Sequence, residues 1–320
     1  MHSPGFSGFV VRRILASAAT LLVVALIVFL LIRSIPGDPT ITILGLDSSQ
    51  DERDRLRDRL GLNAPLWSQF THWLLQILQG DLGYSYREGS DIASIVLPAF
   101  RATLSLTLAA TVLAVAIALV FGLLGTHEVR IVRRVSDAVE AFLLSAPQYS
   151  VALLLLIVFT VLVPVFPSGG IWNSSDPSPA SVASHLFLPA LALALATGAQ
   201  LGRSLKTSVD AIHSTELVPS LRMRGLSPAR VAGHVFHNAL PPVVTLLGFQ
   251  MGWMLGGAIF VETIFSIPGL GSLVVQAVGA RDYDLVQVTA FVIAAAFILL
   301  LLIVDVVVAL IDPRIRVGRL

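Results

Sequence analysis

The sequence predicts an all-α membrane protein with six transmembrane helices. Of the 320 residues, 55% are hydrophobic and 13% are charged, and the mean hydropathy is +0.85. A soluble domain carries about a quarter charged residues, so this chain has too much apolar surface for a water-soluble core. Six apolar runs reach the roughly 20 residues that a helix needs to cross a bilayer. They extend over about residues 14–32, 102–124, 139–164, 185–203, 239–264 and 286–311.

The distribution of Lys and Arg predicts the orientation of these helices. Segments 125–138 and 203–238 and the tail 312–320 each carry at least three such residues, whereas segment 166–184 carries none. Basic segments remain on the cytoplasmic side of a membrane. We therefore expect a multi-pass protein of the cell membrane with both termini in the cytoplasm.

The apolar runs divide the chain into four regions. These are residues 1–32 for the cytoplasmic N-terminus and first transmembrane helix, 33–101 for an extracytoplasmic loop region with short helices, 102–311 for a five-helix transmembrane core that includes a cytoplasmic loop at 204–238, and 312–320 for the cytoplasmic tail. The first run is too long for a signal-peptide core, so we expect the protein to retain it.

The extracytoplasmic region predicts a turn at Pro36-Gly37-Asp38-Pro39 and two short helices. The run from Asp51 to Leu60 is dense in opposite charges three and four residues apart, which stabilise a solvated helix. A second helix begins near Pro65, and the helical spacing of its apolar residues suits packing on the membrane face or on neighbouring loops. The region either caps the membrane domain or binds an extracytoplasmic partner, and the residues leave both possibilities open.

The segment from Thr215 to Pro242 is the strongest candidate for a functional site. It contains three arginines and one carboxylate, and it predicts two short helices that are broken at Gly225. Ser227 can N-cap the second helix, and Pro228 then occupies the first helical position. A structured basic hairpin between two membrane spans indicates a docking surface for a cytosolic partner. The alternative is an ordinary cytoplasmic loop that is basic for topological reasons.

Missing motifs exclude several enzyme classes. The chain has no cysteine and therefore neither disulfides nor thiolate metal sites. A Walker A loop requires Gly-Lys-Ser/Thr, but the one lysine, Lys206, follows Leu205. His127-Glu128 begins a zinc-binding helix motif whose second histidine is replaced by Ile131. We expect no catalytic activity, no cofactor and no metal in this chain, so any ATP energy would have to come from another polypeptide.

Two kinds of residue in the fifth apolar run predict contacts with other helices. Gly248, Gly252 and Gly256 recur every four residues, a spacing that lets helix backbones approach closely in lipid. We expect this face to pack on a helix of the same chain or of a partner. Gln250 and Trp253 lie on other faces, where they either line a translocation pathway or form contacts between helices.

Three carboxylates in or near the spans, Glu140, Glu262 and Asp305, support an alternative function. Ionisable groups in membranes are costly and are functional candidates. A secondary transporter could couple solute movement to ions through Glu262 and Asp305. Glu140 and Glu262 fall near opposite membrane ends on the deduced topology, and we expect an interfacial position for both.

Short motifs follow one another along nearly the whole chain. They include Arg12-Arg13, Pro36-Gly37-Asp38-Pro39, Gly80-Asp81-Leu82-Gly83-Tyr84-Ser85, Ser145-Ala146-Pro147, Leu188-Pro189-Ala190-Leu191, Arg222-Met223-Arg224-Gly225-Leu226-Ser227, His237-Asn238-Ala239-Leu240-Pro241-Pro242 and Val261-Glu262-Thr263-Ile264-Phe265-Ser266-Ile267-Pro268-Gly269-Leu270-Gly271. In this order they resemble the dipeptide/oligopeptide/nickel family of ABC-importer permeases. The long outer loop after the first span is similar to the dipeptide-permease B type.

The resemblance implies the type I ABC importer permease fold and one transmembrane subunit of an ATP-driven importer for di- or oligopeptides or a similar small solute. The implied partners are a C-type permease subunit, two ATP-binding subunits that hold the ATP and Mg, an extracytoplasmic substrate-binding protein and the lipid bilayer of a bacterial inner membrane. No nucleic acid is implied. Peptides, nickel chelates, glutathione and sugars all remain open as solutes.

The resemblance also implies that residues 217–226 form a coupling helix that docks on an ATPase subunit. The residues assigned to this coupling loop are Glu216, Ser220, Leu221, Arg222, Arg224, Gly225 and Leu226. Pro219 departs from the family pattern. Because proline is tolerated only in the first turn of a helix, we predict that the helix starts at Val218 or later and that Arg222 to Leu226 make the main contacts.

Overall fold

The structure is a computed structural model that describes residues 6–35, 39–45, 47–126, 129–171 and 178–311. The centre of the turn at residues 36–39, the His127-Glu128 pair and the tail from residue 312 lie outside the described residues. Within these ranges the chain is almost entirely helical. In chain order the α-helices are α1 (Phe6–Arg33), α2 (Pro39–Leu44), α3 (Gln50–Arg59), α4 (Leu66–Leu78), α5 (Ile92–Gly125), α6 (Arg130–Ser145), α7 (Gln148–Leu156), α8 (Pro179–His213), α9 (Leu217–Met223), α10 (Pro228–Ile264), α11 (Leu270–Ala280) and α12 (Tyr283–Ile311).

Among the described residues, five helices are long and apolar enough to cross a membrane, namely α1, α5, α8, α10 and α12. They contain five of the six apolar runs, and each helix is longer than its run. The 34 residues of α5 and the 37 residues of α10 correspond to roughly 50 Å of helix or more. This length exceeds the hydrocarbon core of about 30 Å, so these helices project beyond it.

The third apolar run, residues 139–164, is not the continuous helix that its hydrophobicity predicts. Helix α6 ends at Ser145, and α7 begins at Gln148 after a bend of 100° and continues as a π-helical segment to Leu162. Pro147 explains the bend, because proline disfavours helical geometry at the preceding residue. Ala146 accordingly has an extended backbone, with ψ of 126°. The described part of the chain has up to six spans if the bent pair crosses the membrane as one unit.

The second span begins earlier than the boundary predicted at residue 102. Helix α5 starts at Ile92, directly after a small β-hairpin formed by Tyr84–Ser85 and Ser90–Asp91, and it continues through Pro98. Arg101, which marks the predicted boundary, lies within the helix with its side chain exposed. A charged residue at the helix surface ends an apolar run in the sequence without ending the helix.

The centre of the membrane domain is formed by α5, α8 and α10. Helix α5 packs along α8, and α10 packs against both of these helices. The backbones of α5 and α8 approach closely at glycines: a Cβ added at Gly198 would overlap Ile117, and one added at Gly202 would overlap Phe121. Small residues at a helix interface permit this approach in lipid.

Helices α1, α4 and α12 form a second layer that is held together by aromatic rings. Phe29 of α1 lies 5.5 Å from Phe70 of α4 between ring centroids, and Trp73 of α4 lies 5.6 Å from Phe291 of α12. Both pairs have edge-to-face geometry, which the ring quadrupoles favour. The apolar face of α4 therefore packs on the membrane helices α1 and α12.

Helix α3 is the solvated helix that the charge pattern predicts, and it buries none of its residues. Ser49 and Glu52 form a capping box at its start: the Ser49 N–H donates to the Glu52 carboxylate at 2.9 Å, and the Glu52 N–H donates to the Ser49 hydroxyl at 3.3 Å. The bond from the Ser49 backbone is the main reason why the pKa of Glu52 lies below its ordinary value. Two N–H groups at the helix start thereby gain acceptors.

Candidate functional site

The basic segment of the sequence forms a short helix between two long membrane helices. Helix α8 ends at His213, α9 spans Leu217–Met223, and α10 begins at Pro228. Ser227 has the extended backbone of an N-cap residue, as predicted, with φ of −64° and ψ of 152°. Its side chain forms no capping hydrogen bond within the described residues, so only the backbone part of that prediction is confirmed.

The predicted break at Gly225 is confirmed and has a defined geometry. Gly225 has φ of 75°, in the left-handed region. The Gly225 N–H donates to the carbonyl of Arg222 at 2.9 Å, and the Leu226 N–H donates to the carbonyl of Leu221 at 3.3 Å. This pair of bonds is the Schellman motif, which ends a helix by giving its last carbonyls partners.

Helix α9 begins at Leu217, one residue before the earliest start predicted from Pro219. Pro219 is the third residue of the helix. The N–H groups of the first helical turn have no partner within the helix, so a proline at this position removes no hydrogen bond. The first turn can therefore begin one residue earlier than expected.

The inner side of α9 is fixed to the first turns of α10. Val218 and Leu221 are buried together with Val231 and Val235 of α10, and Leu226 packs against this cluster. Burial of side chains of this size stabilises an interface by about 1.5–3 kcal/mol each. Because α9 shares a hydrophobic cluster with α10, a displacement of α9 acts directly on the membrane helix.

The residues assigned to the coupling loop from the sequence divide into two groups. Leu221 is buried and Ser220 and Leu226 are half-buried, whereas the exposed members are Glu216, Arg222, Arg224 and Gly225. Met223 was not assigned, yet it is 81% exposed and is the most exposed large apolar residue of the segment. It lies two residues from Leu221, on the opposite side of a helix, so helical spacing could have identified it.

The structure places two of the three regularly spaced glycines of α10 against α12. A Cβ added at Gly248 would overlap Val304, and one added at Gly252 would overlap Phe297. Gly256 is exposed, and apart from the adjacent backbone of its own helix and its two chain neighbours no described atom lies within 4 Å of the position its Cβ would take. The face that begins at Gly248 therefore packs within the chain and becomes free toward Gly256.

Gln250 and Trp253 occupy different environments on α10. The Gln250 amide donates a hydrogen bond to the side chain of Gln200 on α8. Trp253 is 78% exposed, and Phe249 and Phe260 are exposed on the same helix. The three aromatic side chains give α10 an exposed face beside Gly256, and the half-buried Gln250 adjoins this face.

Two family models together cover most of the chain. Residues 110–317 match the model described as binding-protein-dependent transport system inner membrane component, and residues 6–107 match the model of the N-terminal part of such membrane components. The chain belongs to this family. It is therefore a permease subunit of a binding-protein-dependent transport system, a membrane component without catalytic activity of its own.

The permease is similar along nearly its whole length to two curated relatives. It is 34% identical over 310 residues to the glutathione transport system permease protein GsiC of Escherichia coli strain K12, covering 96% of this chain and 98% of the relative. It is 31% identical over 310 residues to the probable peptide ABC transporter permease protein y4tP of Sinorhizobium fredii strain NBRC 101917 / NGR234, covering 96% of this chain and 99% of the relative.

A solved structure supports the fold of the permease. The crystal structure of an amino acid ABC transporter with histidines matches with a TM-score of 0.53 and 17% identity, covering 69% of this chain and 94% of that chain. At this identity the likeness concerns the fold alone. The all-α fold predicted from the sequence, that of an ABC importer permease, is confirmed.

The membrane carboxylates of the permease have partners within the protein. Glu262 is fully buried and accepts hydrogen bonds from the Thr103 hydroxyl at 2.6 Å and from the Ser272 N–H at 2.9 Å. Asp305 pairs with Arg13 at 3.2 Å. These contacts join α5, α10 and α11 on one side and α1 and α12 on the other, which is a structural role for both residues.

Glu140 is also enclosed by protein, and its depth in the membrane, like that of Glu262, stays a prediction. Its side chain is almost completely buried where α6 packs on α8, and it lies 3.5 Å from the Arg203 guanidinium. A buried carboxylate requires a charged or hydrogen-bonding partner, and Arg203 supplies one. The described residues contain no cluster of His, Cys, Asp or Glu that could hold a metal ion.

Proposed function

We propose that this permease is one of two transmembrane subunits of an ATP-driven importer for peptides, including glutathione, or a similar small solute. The names of the two curated relatives, a glutathione permease and a probable peptide permease, support this class of solute. The proposed partners are a second permease of the C type, two ATP-binding subunits that hold ATP and Mg, and an extracytoplasmic substrate-binding protein. The proposed location is a bacterial inner membrane with both termini in the cytoplasm.

The two-sided structure of α9 is the observation that carries this proposal. Its outer side presents Met223 and Arg224 to solvent, while its inner side is held by the cluster with α10. An apolar residue beside an arginine suits a cleft that combines an apolar floor with an acidic wall. We propose that an ATPase subunit supplies this cleft and that its ATP-driven movement displaces α9 and α10 together as one body.

The exposed face of α10 supports a pathway between two permease subunits. Phe249, Gln250, Trp253 and Phe260 provide aromatic and amide groups, and Gly256 leaves space between them. Polar and small groups on a membrane helix favour contact with protein or an aqueous path over contact with lipid. We propose that Gln250 and Trp253 line the translocation pathway and that Gly256 adjoins the second permease.

Co-purification with the ATPase subunits tests the docking surface. Met223→Ser together with Arg224→Glu removes the apolar anchor and reverses one charge on the outer side of α9. We expect this double variant to retain membrane insertion but to lose most of the ATPase subunits during purification. Arg133→Glu is the matched control, because Arg133 is an exposed arginine of α6 outside α9. Equal retention of ATPase subunits by the double variant and the wild type would rule out this docking surface.

A further inference from the structure

A cavity of about 640 Å³ lies beside the coupling segment, defined here as residues 216–226. Its walls come from the C-terminal ends of α5 and α8, from the coupling segment and from the first turns of α10. Most of the lining is apolar and includes Leu119, Leu123, Leu205, Val235 and Phe236. The proposed pathway uses none of these residues.

The polar side chains that line the cavity are exposed and include a cation. They are Thr126, His213 and Arg222, and none of the described lining residues is acidic. The His213 Nδ1 atom bonds to the carbonyl of Val209 at 2.9 Å, which fixes the ring. Arg222 forms no ion pair within the part of the chain that the structure describes. The cavity therefore presents a cation above an apolar interior.

The outer surface of α5 indicates that the cavity opens toward lipid. An unbroken stripe of exposed leucine and valine side chains follows one face of this helix at spacings of three and four residues. Its members are Leu104, Leu108, Val112, Val115, Leu119 and Leu123, which are between 37% and 71% exposed. Interfaces between membrane helices are enriched in small and polar residues, and this stripe has neither. Leu119 and Leu123 belong to both the stripe and the cavity.

We propose that this cavity binds one anionic phospholipid of the cytoplasmic leaflet, with part of an acyl chain between the apolar walls and the phosphate at Arg222 and His213. Basic pockets between membrane helices on the cytoplasmic side suit acidic lipid head groups, and arginine binds phosphate through paired hydrogen bonds. From Thr126 to Leu119 the cavity follows α5 for about 10 Å, a depth that accommodates the upper part of an acyl chain. The assignment of this lipid to the cytoplasmic leaflet rests on the proposed orientation of the permease.

The two arginines of the coupling segment have different roles in this proposal. Arg222 lines the cavity, whereas Arg224 does not. Arg222 therefore contacts the lipid phosphate, and Arg224 remains available to the ATPase subunit. The lipid joins α5 to Leu226 of the coupling segment, which also lines the cavity.

Fluorescence quenching by brominated lipids tests the proposal in the assembled complex. Because the chain contains no cysteine, Ala232→Cys can carry a single fluorophore at an exposed position in the cavity lining. The full chain, with cysteine-free forms of the partner subunits that co-purify, is placed in phosphatidylcholine nanodiscs. A small fraction of brominated phosphatidylglycerol or of brominated phosphatidylcholine is then added. Val112→Cys, on the same stripe but outside the cavity, reports bulk lipid.

We expect brominated phosphatidylglycerol to quench the fluorophore at residue 232 severalfold more than brominated phosphatidylcholine, with equal quenching at residue 112. Arg222→Gln should abolish this preference, and Arg224→Gln should retain it. Equal quenching by the two lipids at residue 232, no quenching there, or the same loss in both arginine variants would overturn the proposal. The measurement requires neither ATP nor transport, so its outcome is independent of the proposed import activity.

Discussion

Gly225 has a backbone angle, φ of 75°, that β-branched residues adopt only with strain. Apart from its two chain neighbours, no described residue has an atom within 4 Å of the position where its Cβ would be. The constraint on this residue is therefore one of backbone conformation and not of space. Substitutions at this position consequently test the bend itself.

Gly225→Val should uncouple ATP hydrolysis from uptake. The strain of about 1–3 kcal/mol favours a rearranged junction between α9 and α10, but it leaves the membrane helices intact. We expect normal amounts of assembled complex, retained ATPase activity and strongly reduced uptake in proteoliposomes. Gly225→Asn is the control, because asparagine tolerates the left-handed region and should retain most uptake. Wild-type uptake by the valine variant would contradict the role of this bend.

Glu262→Gln should lower stability without changing the energy source of transport. The buried carboxylate accepts hydrogen bonds from Thr103 and Ser272, and a bond to a charged group contributes about 1.5–3 kcal/mol. We expect a lower melting temperature in detergent, with uptake per folded complex largely preserved. The double variant with Asp305→Asn should also retain ATP-dependent uptake. Complete loss of uptake in a well-assembled double variant would instead favour ion coupling.

The sequence predicts the bend at Gly225 because glycine, arginine and proline mark helix ends locally. It does not predict that Gln250 bonds to Gln200 or that Glu262 bonds to Thr103. These pairs are separated by 50 and 159 residues, and only the packing of the helices brings them together. Local residue chemistry therefore identified the segment of the site but not its partners.

The contact between α10 and α12 depends on glycines that leave no space for a side chain. Gly248→Leu overpacks against Val304, and Gly252→Leu overpacks against Phe297. Each should lower the free energy of unfolding by about 1–3 kcal/mol. We expect earlier thermal unfolding of both variants in detergent. Gly256→Leu is the matched control, since no described atom lies near that position. Equal stability of all three variants would refute this packing.

The capping box of α3 should make this helix sensitive to acid. The pKa of Glu52 is lowered in the folded protein, so its contribution to stability is complete above the unfolded value of about 4.3 and is lost as the pH falls through the folded value. We expect the protection of α3 amides from hydrogen exchange to decrease, relative to that of α4 amides, as the pH falls below about 4.3. Glu52→Gln should show reduced protection at neutral pH and little further change in acid. Unchanged relative protection of α3 in the wild type would contradict this account.

The lengths of the apolar runs in the sequence predict five of the membrane helices but not the shape of the third run. Pro147 is visible in the sequence, yet a measure of hydrophobicity does not register the backbone restriction it places on Ala146. The start of α5 at Ile92 was missed for a related reason, because Arg101 interrupts the apolar run but not the helix. In both cases the length of an apolar run and the length of a helix are set by different physical constraints.

At the scale of the whole molecule, the permease has two exposed surfaces of contrasting chemistry. The stripe on α5 consists of leucine and valine, and the face of α10 combines aromatic, amide and glycine residues. The first suits lipid, and the second suits another protein or a solute path. The order of short motifs indicated the family from the sequence, but the separation of these two surfaces requires the packed helices.

Uptake by the purified complex in proteoliposomes tests the central claim most directly. The sample contains the permease with its partner subunits, and labelled glutathione or a labelled dipeptide is supplied with the binding protein. We predict uptake that requires ATP on the side of the ATPase subunits, requires the binding protein on the other side and persists after ion gradients are dissipated. Uptake that continues without ATP and collapses with the ion gradients would contradict the account.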